Sequence, residues 1–101
     1  MDTESLVAHA RARFDHVAAR RVLKEKYQAR MMFAYNGGMW QAGPELIVLL
    51  SSIDQVNLVL SDLYEHPCMI NRSELLTLTQ QRWQEQMTAW LVEYDHLSNQ
   101  R

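Results

Sequence analysis

The middle of the chain repeats one short pattern, and this repeat constrains the fold more than any other feature of the sequence. The segment from Gly43 to Leu50 is answered by the segment from Arg72 to Thr79, which begins 29 residues later. In both segments a Glu-Leu pair opens an apolar run that follows a hairpin-like stretch. Because the order is strand, strand, helix in each case, the pattern predicts two ββα units in the middle of the chain.

Length and composition describe an ordinary globular chain. A chain of 101 residues suits a single domain, and contents of 48% hydrophobic and 22% charged residues exclude a disordered one. The longest charge-free run, between Arg30 and Glu45, is broken by glycine and proline and is too short to span a bilayer. The first five residues include two acidic ones and no apolar run, so no secretory signal is expected, and the single Cys68 favours a reducing cytoplasm.

The first part of the chain predicts a long amphipathic helix from Thr3 to Lys26. Asp2 or Thr3 is the candidate N-cap, and no Gly or Pro interrupts the segment. Apolar residues recur every three or four positions, as expected for one helix face. This stripe consists of Leu6, Val7, Ala10, Phe14, Val17, Ala18 and Val22. It is narrow and rich in alanine, which suits close packing on a neighbouring element.

A β-hairpin is predicted next, with Gln28–Tyr35 and Gly38–Ala42 as its strands. They flank Asn36-Gly37, a pair that tolerates the positive φ angles of a type I′ turn. A two-residue loop would place Phe33 opposite Trp40, a contact worth up to about 1 kcal/mol. Because Gly38 follows the pair, a three-residue loop with a bulge is the alternative.

A short helix and a second hairpin complete the middle of the chain. Pro44 suits the first position of a helix ending near Ser52, and the apolar residues 46–50 predict burial on both sides. Their β-branched members make a strand the alternative there. The alternation from Val56 to about Leu63 and the segment Cys68–Ile70 predict two more strands. We expect all four strands in one small, mostly antiparallel sheet.

The last helix is predicted from Arg72 to about Leu97, with Asn71 as N-cap and Glu74 in the variant capping box. The expected fold class is therefore α+β: a long N-terminal helix, two ββα units and a long C-terminal helix. In a single domain over 1–101, residues 1–27 hold the first helix, 28–70 the sheet with a short helix at 44–52, and 71–98 the last helix.

The last helix carries an aromatic seam that predicts an interaction surface. Leu76, Trp83, Trp90 and Leu97 recur at seven-residue spacing, and Gln80, Met87 and Tyr94 interleave with them. A helix of this length measures roughly 39 Å, longer than a sheet of short strands, so its C-terminal half is expected to project. We predict a homo-oligomer interface formed by Trp83, Met87, Trp90, Tyr94 and Leu97. The alternative is that the seam packs within the domain.

The charge distribution supports a second, weaker function. Residues 1–30 hold seven basic and four acidic side chains, and residues 31–101 hold three basic and eight acidic ones, which gives the net charge of −2. The basic first helix could contact nucleic acid through Arg13, Arg20, Arg21 and Lys24. However, Asp15 and Glu25 interrupt this patch, so a solvated helix face is the simpler interpretation.

Catalytic and metal-binding patterns are weak. His9 and His16 are seven residues apart, and zinc sites usually require closer spacing and further ligands. His66 precedes Cys68 by two residues, yet a nucleophilic thiol needs a base and an electropositive setting. We therefore expect no enzyme activity, no cofactor, no metal and no small-molecule substrate.

Three stretches together resemble a known group of proteins. They run from Arg21 to Tyr27, from Asn36 through Trp40 to Leu46, and from Gln80 to Met87 with Ala89-Trp90. In these stretches the chain resembles a small uncharacterised protein carried by T4-like phages of marine, including cyanobacterial, hosts. The resemblance implies a location in the host cytoplasm and an accessory or assembly role. The sequence as a whole thus predicts a non-enzymatic, self-associating interaction protein, with a nucleic-acid-binding module as the alternative.

Overall fold

A computed structural model describes residues 3–99, without the side chains of Ala12 and Phe14. The chain folds as an α+β protein with a long helix at each end, which confirms the predicted fold class. The candidate N-cap Asp2 lies outside the described residues. The elements in chain order are α1 Thr3–Arg30, β1 Met32–Tyr35, β2 Gly38–Gln41, α2 Pro44–Ser51, β3 Asn57–Ser61, β4 Pro67–Asn71 and α3 Arg72–Ser98.

Helix α1 is one turn longer than predicted. Residues 28–30 were expected to begin the first strand, and this expectation is wrong because they continue the helix. Good helix formers occupy these positions, and buried Tyr27 ties this part of α1 to α3. The helix ends where the Met31 amide donates to the Gln28 carbonyl at 3.2 Å, and β1 follows at once.

The first hairpin has the predicted turn and register. Asn36 and Gly37 both have positive φ, at 49° and 81°, as a type I′ turn requires. Phe33 pairs with Trp40, and Tyr35 pairs with Gly38, so the two-residue loop is present and the bulge alternative is wrong. The Trp40 indole also donates to the Tyr35 carbonyl at 2.9 Å, which ties the aromatic ring to its own hairpin.

The four strands form two separate two-stranded sheets, and the predicted single sheet is wrong. β1 pairs with β2, and β3 pairs with β4 in a register that sets Val59 against Met69. The outer edge of β2 meets the turn that follows β3. The Met39 amide donates to Asp62 Oδ2 at 2.9 Å, and the Leu63 amide donates to the Met39 carbonyl at 2.9 Å. The Asp62 carboxylate thus accepts the hydrogen bond that the carbonyl of a third strand would accept at this edge, and β3 does not pair with β2.

The core lies where both hairpins and α2 meet the first turns of α3. Its buried members are Met31, Phe33, Trp40, Ala42, Leu50, Leu58, Ile70 and Leu75. Helix α2 contributes one fully buried residue, Leu50, whereas Val48 and Leu49 are exposed. The expectation that α2 is buried on both sides is therefore wrong, because only one of its faces packs against α3.

The two long helices pack against each other in antiparallel orientation. Arg20 lies at the level of Tyr94, and Tyr27 lies at the level of Trp90 further along. The C-terminal half of α3 was expected to project beyond the sheet with Trp90 and Tyr94 exposed. The second half of α1 packs along one of its faces, so Trp90 is half-buried, whereas Tyr94 is 40% exposed. The predicted N-cap is confirmed, since Asn71 Oδ1 accepts from the Glu74 amide at 3.1 Å.

The molecule is strongly elongated. Its principal extents are 66 × 24 × 20 Å, and its radius of gyration is 19.5 Å. A compact domain of this length has a radius of gyration of about 13 Å. The difference arises because α1 continues beyond the end of α3, with its first half outside the packed body.

Candidate interaction surfaces

A hydrogen-bonded cluster joins α1 to α3. The Tyr27 hydroxyl and the Lys26 ammonium both donate to Glu93 Oε1, the second over 2.8 Å. The hydrogen bond from Lys26, followed by that from Tyr27, lowers the pKa of Glu93 below its ordinary value. The hydrogen bond between Tyr27 and Glu93, followed by burial, raises the pKa of Tyr27 above its ordinary value. The cluster holds the two helices in register at neutral pH.

Aromatic contacts extend this junction along both helices. The rings of Tyr27 and Trp90 are nearly parallel, with centroids 6.3 Å apart and an interplanar angle of 8°. The Arg20 guanidinium lies 5.6 Å from the centre of the Tyr94 ring, and that of Arg30 lies 5.4 Å from the Tyr27 ring. Such contacts between cations and ring faces are attractive. They give two of the seam residues, Trp90 and Tyr94, partners within the same chain.

The predicted seam is divided between two surface grooves. Trp83, Met87 and Trp90 line a groove of about 620 Å³ that also includes Met31 and Trp40, and we call it the Trp groove. Leu97 lines a second groove of about 880 Å³ on the side of the helix pair, here called the lateral groove. Met87 is 36% exposed and Tyr94 40% exposed. These two residues form the part of the seam that remains most open to a partner.

The first half of α1 is the most exposed part of the fold. Every residue from Thr3 to Asp15 whose burial is described is exposed. We call this segment, residues 3–15, the α1 arm. It carries Leu6 and Val7, and the stripe continues to Val17, which is 62% exposed. The helical spacing of apolar residues identified this stripe in the sequence. Spacing alone could not show that the stripe stays uncovered by the other elements of the described chain.

The basic residues of α1 do not form one uniform patch. Arg13, Arg21 and Lys24 are exposed, whereas Arg20 is partly buried against Tyr94. The structure therefore leaves three of the four predicted nucleic-acid contacts fully available to solvent. The fourth already has an aromatic partner within the chain.

Asp62 is a charge in the turn after β3, and its burial was not predicted from the sequence. Its carboxylate accepts hydrogen bonds from the amides of Met39, Tyr64 and His66, at 2.8–3.0 Å. These bonds, led by that from Met39, lower the pKa of Asp62 below its ordinary value. An Asp directly after an alternating strand was the available signal, since such residues often bond to nearby amides in turns.

His66 and Cys68, the candidate catalytic pair, make their contacts with other groups of the same hairpin. The Cys68 thiol donates to the His66 carbonyl at 3.4 Å, and His66 Nδ1 lies 3.9 Å from Asp62 Oδ1. The imidazole is directed to Asp62, so it is not paired with the thiol. Over residues 3–99, no three His, Cys, Asp or Glu side chains group as metal ligands would. Among the same residues, no helix is both long and apolar enough to cross a membrane.

Comparison with protein-family models, with curated proteins and with solved structures finds no match to this chain. The geometry of the two helices is therefore the basis for a functional proposal.

Proposed function

We propose that the protein is a non-enzymatic interaction and assembly protein that self-associates through α1 and α3. The observation that carries the proposal is the α1 arm, which extends outside the packed body with apolar side chains in solvent. An isolated helix of this length is only marginally stable in water. Burying its stripe against a partner would supply the packing that the chain itself does not provide.

The open part of the aromatic seam supports the same proposal. Met87 and Tyr94 remain partly exposed on the helix that packs on α1, and large apolar and aromatic side chains are common at interface centres. Self-association through both terminal helices would use the predicted residues Trp83, Met87, Trp90, Tyr94 and Leu97. Trp83 and Trp90 would then act mainly by shaping the Trp groove.

Sedimentation velocity and light scattering at micromolar concentration test self-association. We expect a species larger than the monomer whose fraction rises with concentration. A protein that stays monomeric over this range would refute the proposal.

A matched pair of variants tests the seam. Met87→Gln changes a seam residue that is 36% exposed, and Leu78→Gln changes a residue that is 38% exposed on the opposite face of the same helix. We expect Met87→Gln to weaken association by about five-fold or more, as loss of a buried apolar contact does. Leu78→Gln should leave the association unchanged. Equal effects of the two variants would remove the seam from the interface.

Nucleic-acid binding is the second candidate, favoured by the exposure of Arg13, Arg21 and Lys24 on one helix. Charge-driven binding is strongest at low salt, so a labelled DNA or RNA fragment is titrated at about 50 mM salt. Saturable binding that weakens with added salt would support this candidate, and absence of binding would remove it.

The biological setting is proposed from the resemblance to phage proteins. It supports an accessory role in the cytoplasm of an infected host. Association of the protein with other phage-encoded proteins during infection, recovered by tagging the full chain, is the corresponding test. Recovery of the chain alone would argue against a role in a mixed assembly.

A further inference from the structure

The apolar stripe of the α1 arm is turned to one side of the surface of α1 that meets α3. Tyr27, Leu23 and Arg20 form the side of α1 that meets α3. At 3.6 residues per turn, Val7, Ala10 and Val17 lie roughly 80 to 160° around the helix from Tyr27. A longer α3 would therefore meet only the near edge of the stripe and would leave Val7 and Ala10 uncovered.

We propose that this stripe binds the same stripe of a second copy of the chain in an antiparallel helix pair. The inference rests on the proposed self-association and specifies the geometry of its α1 contact, which is separate from the contact of the α3 seam. Positions 3, 7, 10, 14, 17 and 21 alternate in steps of four and three, which is the spacing of a two-helix seam. Antiparallel pairing over Thr3–Arg21 places Val7 of each copy opposite Val17 of the other. The contact would extend over about 28 Å of each helix.

Charges favour the antiparallel orientation over the parallel one. In the antiparallel pair, Arg21 of one copy lies at the level of Thr3 and Glu4 of the other, so opposite charges approach at both ends. In a parallel pair, Arg11, Arg13, Arg20 and Arg21 would each lie level with the same residue of the other copy, whereas the antiparallel pair sets only Arg11 level with Arg13. Opposed like charges cost affinity and select against that arrangement.

Small residues and the position of α3 also suit a second copy. Ala10 and Ala18 flank the Val layers, and small side chains let two helices approach closely. Because the stripe lies to one side of the surface that meets α3, the partner helix would pack on the side of α1 that α3 leaves free. The α1 contact is two-fold symmetric, because both copies use the same surface, and this contact by itself closes as a dimer.

Cysteine cross-linking tests the orientation. In a Cys68→Ser background, Val7→Cys and Val17→Cys are prepared as separate single variants and oxidised alone or mixed. We expect a disulfide-linked dimer in the mixture and none with either variant alone. Linking of Val7→Cys with itself would indicate parallel pairing and overturn the inference. A dimer by sedimentation that does not link in the mixture would also overturn it, while leaving the proposed function intact; a monomer would refute both.

A second pair of variants tests the face of the helix. Ala10→Asp puts a charge into the stripe, and Ala8→Asp puts the same charge two residues away on the other flank of α1. Both alanines are exposed in the single chain, so neither change disturbs the packed core. We expect Ala10→Asp to weaken dimerisation by about ten-fold or more, because it would bury an unpaired charge. The Ala8→Asp variant should dimerise with the same affinity as the unaltered protein. An equal effect of both changes would overturn the proposed face.

Discussion

At the residue scale, the Asp62 carboxylate and the lack of a side chain at Gly38 contribute to the contact between the two hairpins. Asp62 accepts the Met39 amide of the first hairpin while it holds its own turn through Tyr64 and His66. Gly38 lies directly against this residue. A Cβ at position 38 would be 3.0 Å from both Asp62 Cβ and Cys68 Sγ. The absence of a side chain there lets the hairpins approach closely enough for the Asp62 bonds to form.

Gly38→Ala is therefore expected to destabilise the protein by about 1–3 kcal/mol, the usual cost of overpacking. Gly43→Ala is the matched control, because a Cβ there meets no atom within 4 Å. Urea denaturation followed by circular dichroism measures both. If the two variants unfold at the same urea concentration, the hairpins do not depend on the close contact at Gly38.

The Asp62 carboxylate predicts a specific loss of stability in acid. Its pKa is lowered from an ordinary value of 3.8, so the folded state favours the ionised form. The contribution of the Asp62 carboxylate to the free energy of unfolding is fully present above pH 3.8 and is lost as the pH falls through the lowered pKa. Asp62→Asn should lower stability at neutral pH, and the difference from the original protein should shrink below pH 3.8. A difference that is constant from neutral to acidic pH would contradict this assignment.

At the element scale, the helix pair depends on aromatic contacts that the seam spacing indicated only in part. Trp90 was predicted to project with the end of α3, yet it stacks on Tyr27 of α1. The seam pattern identified the correct residues as apolar and aligned. It could not show that the first helix of the same chain packs against them, since that depends on the direction of α1 relative to the hairpins that follow it.

Trp90→Ala is expected to lower the unfolding free energy by about 2 kcal/mol, through loss of the ring stack and of apolar burial. Leu91→Ala is the matched control on the adjacent, exposed face and should change stability by less than about 0.5 kcal/mol. Thermal unfolding, with the near-ultraviolet dichroism of the aromatic residues, separates the two. Equal melting temperatures for both variants would show that the stack contributes little to the helix pair.

At the scale of the whole molecule, the elongated shape and the uneven charge lead to one further prediction. Residues 3–21 contain four basic and two acidic side chains, so two paired α1 segments repel each other overall. Added salt screens such repulsion. We expect self-association to strengthen as salt rises, whereas nucleic-acid binding would weaken. Sedimentation equilibrium at low and high salt measures this, and dissociation of the dimer by salt would contradict the apolar stripe as its main contact.

Local signals were sufficient where neighbouring residues decide the structure. The type I′ turn at Asn36-Gly37, the Phe33–Trp40 register and the Asn71 cap all followed from a few adjacent positions. Each depends on backbone angles or hydrogen bonds within a few residues. For the candidate interface, the sequence likewise identified both apolar stripes by their helical spacing.

The tertiary structure decided how these elements meet. Two sheets form instead of one because Asp62, far from Met39 in the chain, bonds to the edge of β2. The aromatic seam of α3 is partly covered, and the α1 arm is exposed, because α1 packs beside α3 over only its second half. The sequence by itself therefore determined the fold class, the turns and the apolar faces, since these depend on local backbone preference and periodicity. Which faces remain free for a partner depended on long-range packing, which no local pattern encodes.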